Sequence, residues 1–174
     1  MNKEHTPKST DVIVNKESLN MTRKVQEGNS CVPTIIEYIL KSNGSSTSRE
    51  DIIKYYENKL LKNGNSYDVI SKGVPSNMVA SGVVNFLGVN GIENTQYGGN
   101  SPFDYKGAVD RGNTVMTNIR LDNGYGHNIW IVGYTEEGNY IYIDTNDSKK
   151  EFECSSDYLE WKNVSKYDFE IKKK

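Results

Sequence analysis

The sequence predicts an α+β domain in which helices come first and a mostly antiparallel sheet follows. Three observations carry that expectation. Between residues 31 and 88 the apolar residues recur at three- and four-residue spacing, and a glycine closes each run. From residue 114 onward the apolar residues alternate, or run continuously, over short stretches bounded by turn signals, as strands do. The length of 174 residues suits one domain with one core.

The elements follow in chain order. Residues 1–22 are rich in Lys, Asn, Ser and Thr, with only Val12, Ile13, Val14 and Leu19 to bury, so they read as a flexible polar arm with one short edge strand at Asp11–Val14. Residues 23–174 form the domain proper. Its first helix starts around Cys31 and Pro33 and stops at Asn43-Gly44, with Ile35, Ile36, Ile39 and Leu40 as its inner stripe. Ser48, with Asp51 three residues on, caps a second helix that runs to about Leu61–Lys62 and turns Ile52, Ile53, Tyr56 and Leu60 inward. Pro75-Ser76 opens a third, with Met78, Val79, Val83, Phe86 and Leu87 facing in. Gly82 inside it predicts close packing against another element, because glycine there costs about 1 kcal/mol of helix propensity. Gly91–Pro102, containing Tyr97-Gly98-Gly99-Asn100-Ser101, reads as a surface loop. Asp104–Arg111 is a short helix closed by Gly112, and Thr114–Leu121 alternates as a strand. It pairs across a turn with the run from His127 to Tyr134, which the turn Glu136-Glu137-Gly138-Asn139 joins to Tyr140–Ile143. A polar loop, a short strand at Glu151–Glu153, a small helix capped at Ser155/Ser156 with Tyr158, Leu159 and Trp161, and a closing strand at Tyr167–Ile171 complete the chain.

Two stretches carry chemistry. Gln26-Glu27-Gly28-Asn29-Ser30-Cys31 is a polar, glycine-bearing loop that delivers one thiol to the first turn of an amphipathic helix. The positive end of the helix dipole and the unpaired N–H groups there favour thiolate. On its own such a cysteine is as well read as a small apolar residue at a helix start. About a hundred residues on, Gly126-His127 opens one strand and Asp144 ends the neighbouring antiparallel strand, so a base and a carboxylate share one sheet edge. Asn146 and Asp147 compete with Asp144 for the carboxylate role, and Asp144 is preferred because it directly ends the strand. Asn128 points to the opposite face from His127 and reads as structural. Of the two histidines, His5 lies in the polar arm, which leaves His127 as the imidazole of the folded body. Cys154 has no histidine left to activate it and reads as an ordinary thiol.

A cysteine heading a helix, a later histidine and a following Asp resemble the papain-like cysteine peptidases, above all the compact bacterial branch with the peptidases that cleave double-glycine leader peptides and papain-like toxins. The resemblance covers about residues 24–165. It implies a papain-like fold with the cysteine helix packed on the sheet that presents the histidine. It also implies Cys31 as nucleophile, His127 as general base and acid, Asp144 as orienting residue and Gln26 as oxyanion-hole donor. Gln26 stands five positions before Cys31, where the family usually has its glutamine six before, and Val32 stands where many members have glycine. The chemistry implied is acyl transfer through a thioester on a protein or peptide substrate, and it needs no cofactor.

Composition narrows the partners. A net charge of −2 gives no electrostatic reason to expect nucleic acid or an anionic membrane, and no apolar run approaches a membrane span. Two cysteines make no disulfide framework, no metal-ligand spacing is present, and the polar start is no secretory signal. Three readings of different class stay open: a cysteine-dependent amide-bond enzyme; a papain-like toxin or effector acting as protease, deamidase or transglutaminase, with an immunity protein that covers its cleft; and a non-catalytic binding module on the same fold. The expected location is the cytoplasm, or a target-cell cytoplasm reached as part of a larger secreted protein.

Overall fold

A computed structural model of the chain describes residues 2–98, 103–162 and 167–174. The helical half opens with one turn, α1 (Glu17–Asn20), followed by α2 (Cys31–Ser42), whose stripe Ile35, Ile36, Ile39 and Leu40 is fully buried. Asn43 caps α2, and Gly44 turns the chain away at φ 86°, a left-handed value that glycine takes without strain. Ser48 accepts the Asp51 backbone N–H and starts α3 (Arg49–Lys59), which ends short of the expected Leu61. A four-residue helix, α4 (Val69–Lys72), is capped by Asp68 and is too short to show a period in the sequence. A 3₁₀ turn (Ser76–Met78) leads into α5 (Val79–Val89). Gly82 of α5 is where α3 comes closest: a Cβ there would lie 2.0 Å from the Tyr56 hydroxyl. That hydroxyl donates to the Val79 carbonyl at 2.8 Å. The expected close packing at Gly82 is present.

Beyond the helices lies the sheet. Its strands are β1 (Lys3–Glu4), β2 (Val12–Ile13), β3 (Asn94–Gly98), β4 (Asn113–Arg120), β5 (Gly126–Tyr134), β6 (Tyr140–Asp144), β7 (Phe152–Cys154) and β8 (Tyr167–Lys172). They run β1-β7-β6-β5-β4-β8-β3, with β2 pairing off this path onto β5, and all pairs are antiparallel. Along β5 the two faces separate cleanly. Trp130 and Val132 pack with Met116, Ile143 and Phe169 under α2, α3 and α5. Ile129 and Ile131 pack with Tyr140, Tyr142 and Cys154 under α6 (Tyr105–Asp110) and α7 (Ser156–Lys162). Helices therefore cover both faces, and two apolar clusters replace the single core expected. Among the described residues no helix is long and apolar enough to cross a membrane.

Two expectations are corrected. Gly91–Pro102 is not all loop, because Asn94–Gly98 forms β3 along the full length of its pairing with β8; Gly99 to Pro102 lie outside the described residues, as does the Trp161 side chain. An exposed edge strand carries no apolar alternation, since its register is held by backbone hydrogen bonds. The polar arm is not loose either. β1 pairs with β7 and β2 with β5, and Gly133 makes room for the second contact, since a Cβ there would meet the Val12 carbonyl at 2.1 Å. His5, 8 % exposed, sits between Asp11 at 2.8 Å and Glu153 at 2.6 Å. His127 is thus not the sole histidine of the folded body. The arm docks through backbone ladders and buried polar pairs, which a count of apolar residues does not register.

Candidate active site

The loop before Cys31 is held on three sides. Buried Arg49 of α3 donates to the carbonyls of Lys24 at 2.6 Å and Val25 at 2.7 Å, while Glu37 of α2 pairs with the same guanidinium at 2.8 Å. The fork fixes the two residues before Gln26 relative to α2 and α3. Gly28 turns at φ 53° with the Ile70 carbonyl 2.4 Å from where a Cβ would stand, and Asn29 N–H donates to that carbonyl at 2.7 Å. Gln26 N–H donates to the Thr145 carbonyl at 2.8 Å, and the Thr145 hydroxyl donates to the Gln26 side-chain carbonyl. Gln26 is thereby tied to the residue after Asp144. One N–H of its amide donates to the Gly28 carbonyl at 2.6 Å, which turns that hydrogen into the loop. Ser30 Oγ donates to Glu27 O at 2.7 Å and Cys31, half-buried, becomes the first residue of α2.

The imidazole comes from the sheet. Asp144 stands opposite Ile129 in the β5–β6 ladder, so His127, two residues earlier, reaches it diagonally on the same face. His127 Nε2–H donates to Asp144 Oδ1 at 2.8 Å, and the Asn146 backbone N–H donates to the same oxygen at 2.9 Å. Asp147 is spent on the N–H groups of Lys149 and Lys150, and Asn146 serves Asp144 from its backbone, so of the three competitors Asp144 meets the imidazole. Nε2 being taken, Nδ1 is the ring nitrogen left for Cys31, whose thiol His127 lowers.

Electrostatics follow from this chain of contacts. Burial pushes the Cys31 thiol up, but hydrogen bonding to His127, that ring's charge, and then the backbone N–H and side chain of Asn128 bring it net below its ordinary value. For His127 burial favours the neutral ring; the bond to Asp144 and the contact with Cys31 outweigh it and raise the imidazole to about 10. Burial raises Asp144, yet the bond from His127 holds it net below the usual carboxylate range. All three shifts run toward the charged forms: thiolate, imidazolium and carboxylate. Cys154 is the opposite case: buried in the second cluster, its thiol is pushed up to about 12.

Sequence reasoning missed Asn128. Alternation does turn it away from His127, but α2 packs on that other face, and from there Asn128 helps to lower the Cys31 thiol. A signal was available in the sequence: residues 128, 130 and 132 share a face, and an asparagine opens an otherwise apolar stripe. A cavity of about 630 Å³ lined by Val84, Ile92, Asn113, Glu170 and Lys172 contains none of the site residues. The site is located by its side chains, not by that hollow.

No curated protein sequence matches the chain. Its fold is similar to a solved C39-like peptidase from Bacillus anthracis, at 14% identity and a TM-score of 0.65 over 94% of this chain and 98% of that one. It is also similar to the peptidase domain of Streptococcus ComA, a bi-functional ABC transporter involved in a quorum sensing pathway, at 16% identity and a TM-score of 0.58 over 88% of this chain and 100% of that one. A double glycine motif protease from an AMS/PCAT transporter, solved in complex with the leader peptide, matches at 10% identity and a TM-score of 0.56, over 88% and 93% of the two chains. These likenesses establish the papain-like α+β fold of C39 peptidases. A profile of the Peptidase_C39 like family matches residues 17–169, and with most of its length inside that match the chain belongs to the Peptidase_C39 like family, a family of cysteine peptidase type.

Proposed function

We propose that the chain is a cysteine-dependent peptidase acting on a protein or peptide substrate through a thioester acyl-enzyme, with Cys31, His127 and Asp144 as its catalytic residues. The observation that carries the reading is the connected line from Asp144 through His127 to the thiol at the start of α2. Thiolate Sγ attacks the scissile carbonyl carbon. Its oxyanion is met by the Cys31 backbone N–H, one of the groups at a helix start without an intrahelical partner. The second N–H of the Gln26 amide is the other donor, on an amide whose orientation the Thr145 hydroxyl sets. The proton on the imidazolium goes to the leaving amine, which breaks the C–N bond and leaves a thioester. Neutral His127 then takes a proton from water, the resulting hydroxyl attacks the thioester carbonyl, and the thiolate is restored. Asp144 keeps Nε2–H engaged throughout, so the other nitrogen stays directed at the chemistry. The bound leader peptide in one similar structure supports a peptide as substrate class.

The test is cleavage of a mixed peptide library read by mass spectrometry. Wild-type protein is expected to produce defined new termini that are absent with Cys31→Ala and with His127→Ala, both folded. Identical peptide profiles for wild type and Cys31→Ala overturn the reading.

A further inference from the structure

We propose that the side-chain carboxamide of Asn128 is a thiolate-binding group of the active site, donating an N–H to Cys31 Sγ from the face of β5 opposite His127. The proposal rests on Cys31 being the nucleophile. Residues 128, 130 and 132 of β5 share a face, and Trp130 and Val132 lie in the cluster that also contains the stripe of α2 and the flank of Cys31. Asn128 opens that stripe at the end nearest the start of α2. It is 3 % exposed, and a carboxamide so buried needs a partner. No other side chain or backbone group among the described residues is hydrogen-bonded to its carboxamide, and that carboxamide is one of the groups that hold the Cys31 thiol below its ordinary value.

An amide can present either end to a sulfur, and the charge decides which. Its carbonyl oxygen is an acceptor and would repel a thiolate, whereas its N–H₂ group only donates. The backbone N–H of the same residue lowers the thiol in the same sense. Cys31 is thus gripped from two sides: a charged ring on one face, and two neutral N–H groups of Asn128 on the other. Asn118 stands directly across the β4–β5 ladder from Asn128 and is also buried, and Gly126 gives its amide room, since a Cβ at residue 126 would lie 3.3 Å from the Asn118 oxygen. A polar pocket end is thereby built into an otherwise apolar face. Its consequence is that the thiolate does not depend on His127 alone. The carboxamide does not titrate, so the free thiolate keeps this donor whatever the protonation state of the ring.

The experiment is the pH profile of Cys31 alkylation by iodoacetamide, measured without substrate in a Cys154→Ser background. In Asn128→Ala the midpoint is expected to move up by about 1–2 units, the size of one hydrogen bond to a charged group. Asn128→Asp keeps the side-chain shape, turns the donor into a negative acceptor, and is expected to move the midpoint up at least as far; it carries the test if the alanine variant unfolds. His127→Ala should leave a midpoint lower than that of His127→Ala with Asn128→Ala, because the carboxamide still acts when the ring is gone. If wild-type Cys31 is depressed and the Asn128 variants match it, this proposal falls and the nucleophile assignment survives. If wild-type Cys31 titrates like an ordinary thiol, both fall. Shifted midpoints in a protein that cleaves no peptide uphold the Asn128 role and remove the peptidase reading.

Discussion

Alkylation at neutral pH separates the two cysteines by an amount that the structure sets. Cys154 is buried and its thiol is pushed up to about 12, so at pH 7 only about one molecule in 10⁵ carries the thiolate there. Cys31 is held below its ordinary value of 9.0, so its thiolate fraction exceeds the ~1% that such a thiol would have. The ratio of thiolates is therefore at least ~10³ in favour of Cys31. A more basic thiolate is intrinsically more nucleophilic, with a slope of about 0.4–0.5 per unit, and over three units this returns a factor of ~20 to Cys154. Cys31 should then label at least ~50-fold faster than Cys154, before the near-complete burial of Cys154 slows it further. Iodoacetamide labelling with peptide mapping reads both rates in one sample. In denaturant the ratio should collapse toward one, which shows that the fold and not local sequence creates it. Equal rates in the native protein, or faster labelling of Cys154, would refute the reasoning.

Other predictions concern the remaining parts of the machinery and its support. Asp144→Ala should lower kcat by about 10²-fold, and Asp144→Asn by less, because an amide oxygen still accepts from Nε2–H; full activity in both would remove the orienting role. The raised His127 means that the folded state favours the imidazolium. Its contribution to stability is complete below about 6.5 and is lost as pH rises through about 10, so the melting-temperature gap between wild type and His127→Ala should narrow across that window. A gap that widens with pH would contradict the assigned shift. Gly82→Ala should destabilise by about 1–3 kcal/mol in chemical denaturation, since the new Cβ meets a fully buried Tyr56; a neutral effect would mean that α3 and α5 are looser than the packing implies.

What the sequence discloses and what it conceals divide along physical lines. Ser48, Asn43-Gly44 and the α2 stripe were legible because caps and periodicity act within a few residues, and the structure places them as expected. The line from His127 to Asp144 was legible because one tight hairpin sets the register of β5 on β6. β1 on β7 joins residues about 150 apart through backbone hydrogen bonds, and no side-chain pattern announces such a pairing. β3 is hidden for the same reason. The role proposed for Asn128 depends on which face of β5 receives α2, a tertiary choice that alternation alone leaves open. Gln26 lies between these cases: its place five residues before Cys31 is read from the loop, while the orientation of its amide depends on Thr145, one residue beyond Asp144.

The proposed mechanism requires that Cys31 carry an acyl group during turnover. Intact-mass spectrometry of acid-quenched reactions with a cleaved peptide measures this directly. Wild-type protein, and more strongly any variant slowed in the hydrolysis half-reaction, should gain the mass of the amino-side fragment. Hydroxylamine should release that mass, peptide mapping should locate it on Cys31, and Cys31→Ser should not form a hydroxylamine-labile thioester. Peptide cleavage that proceeds with no adduct at any quench time, and continues in Cys31→Ala, would contradict the account.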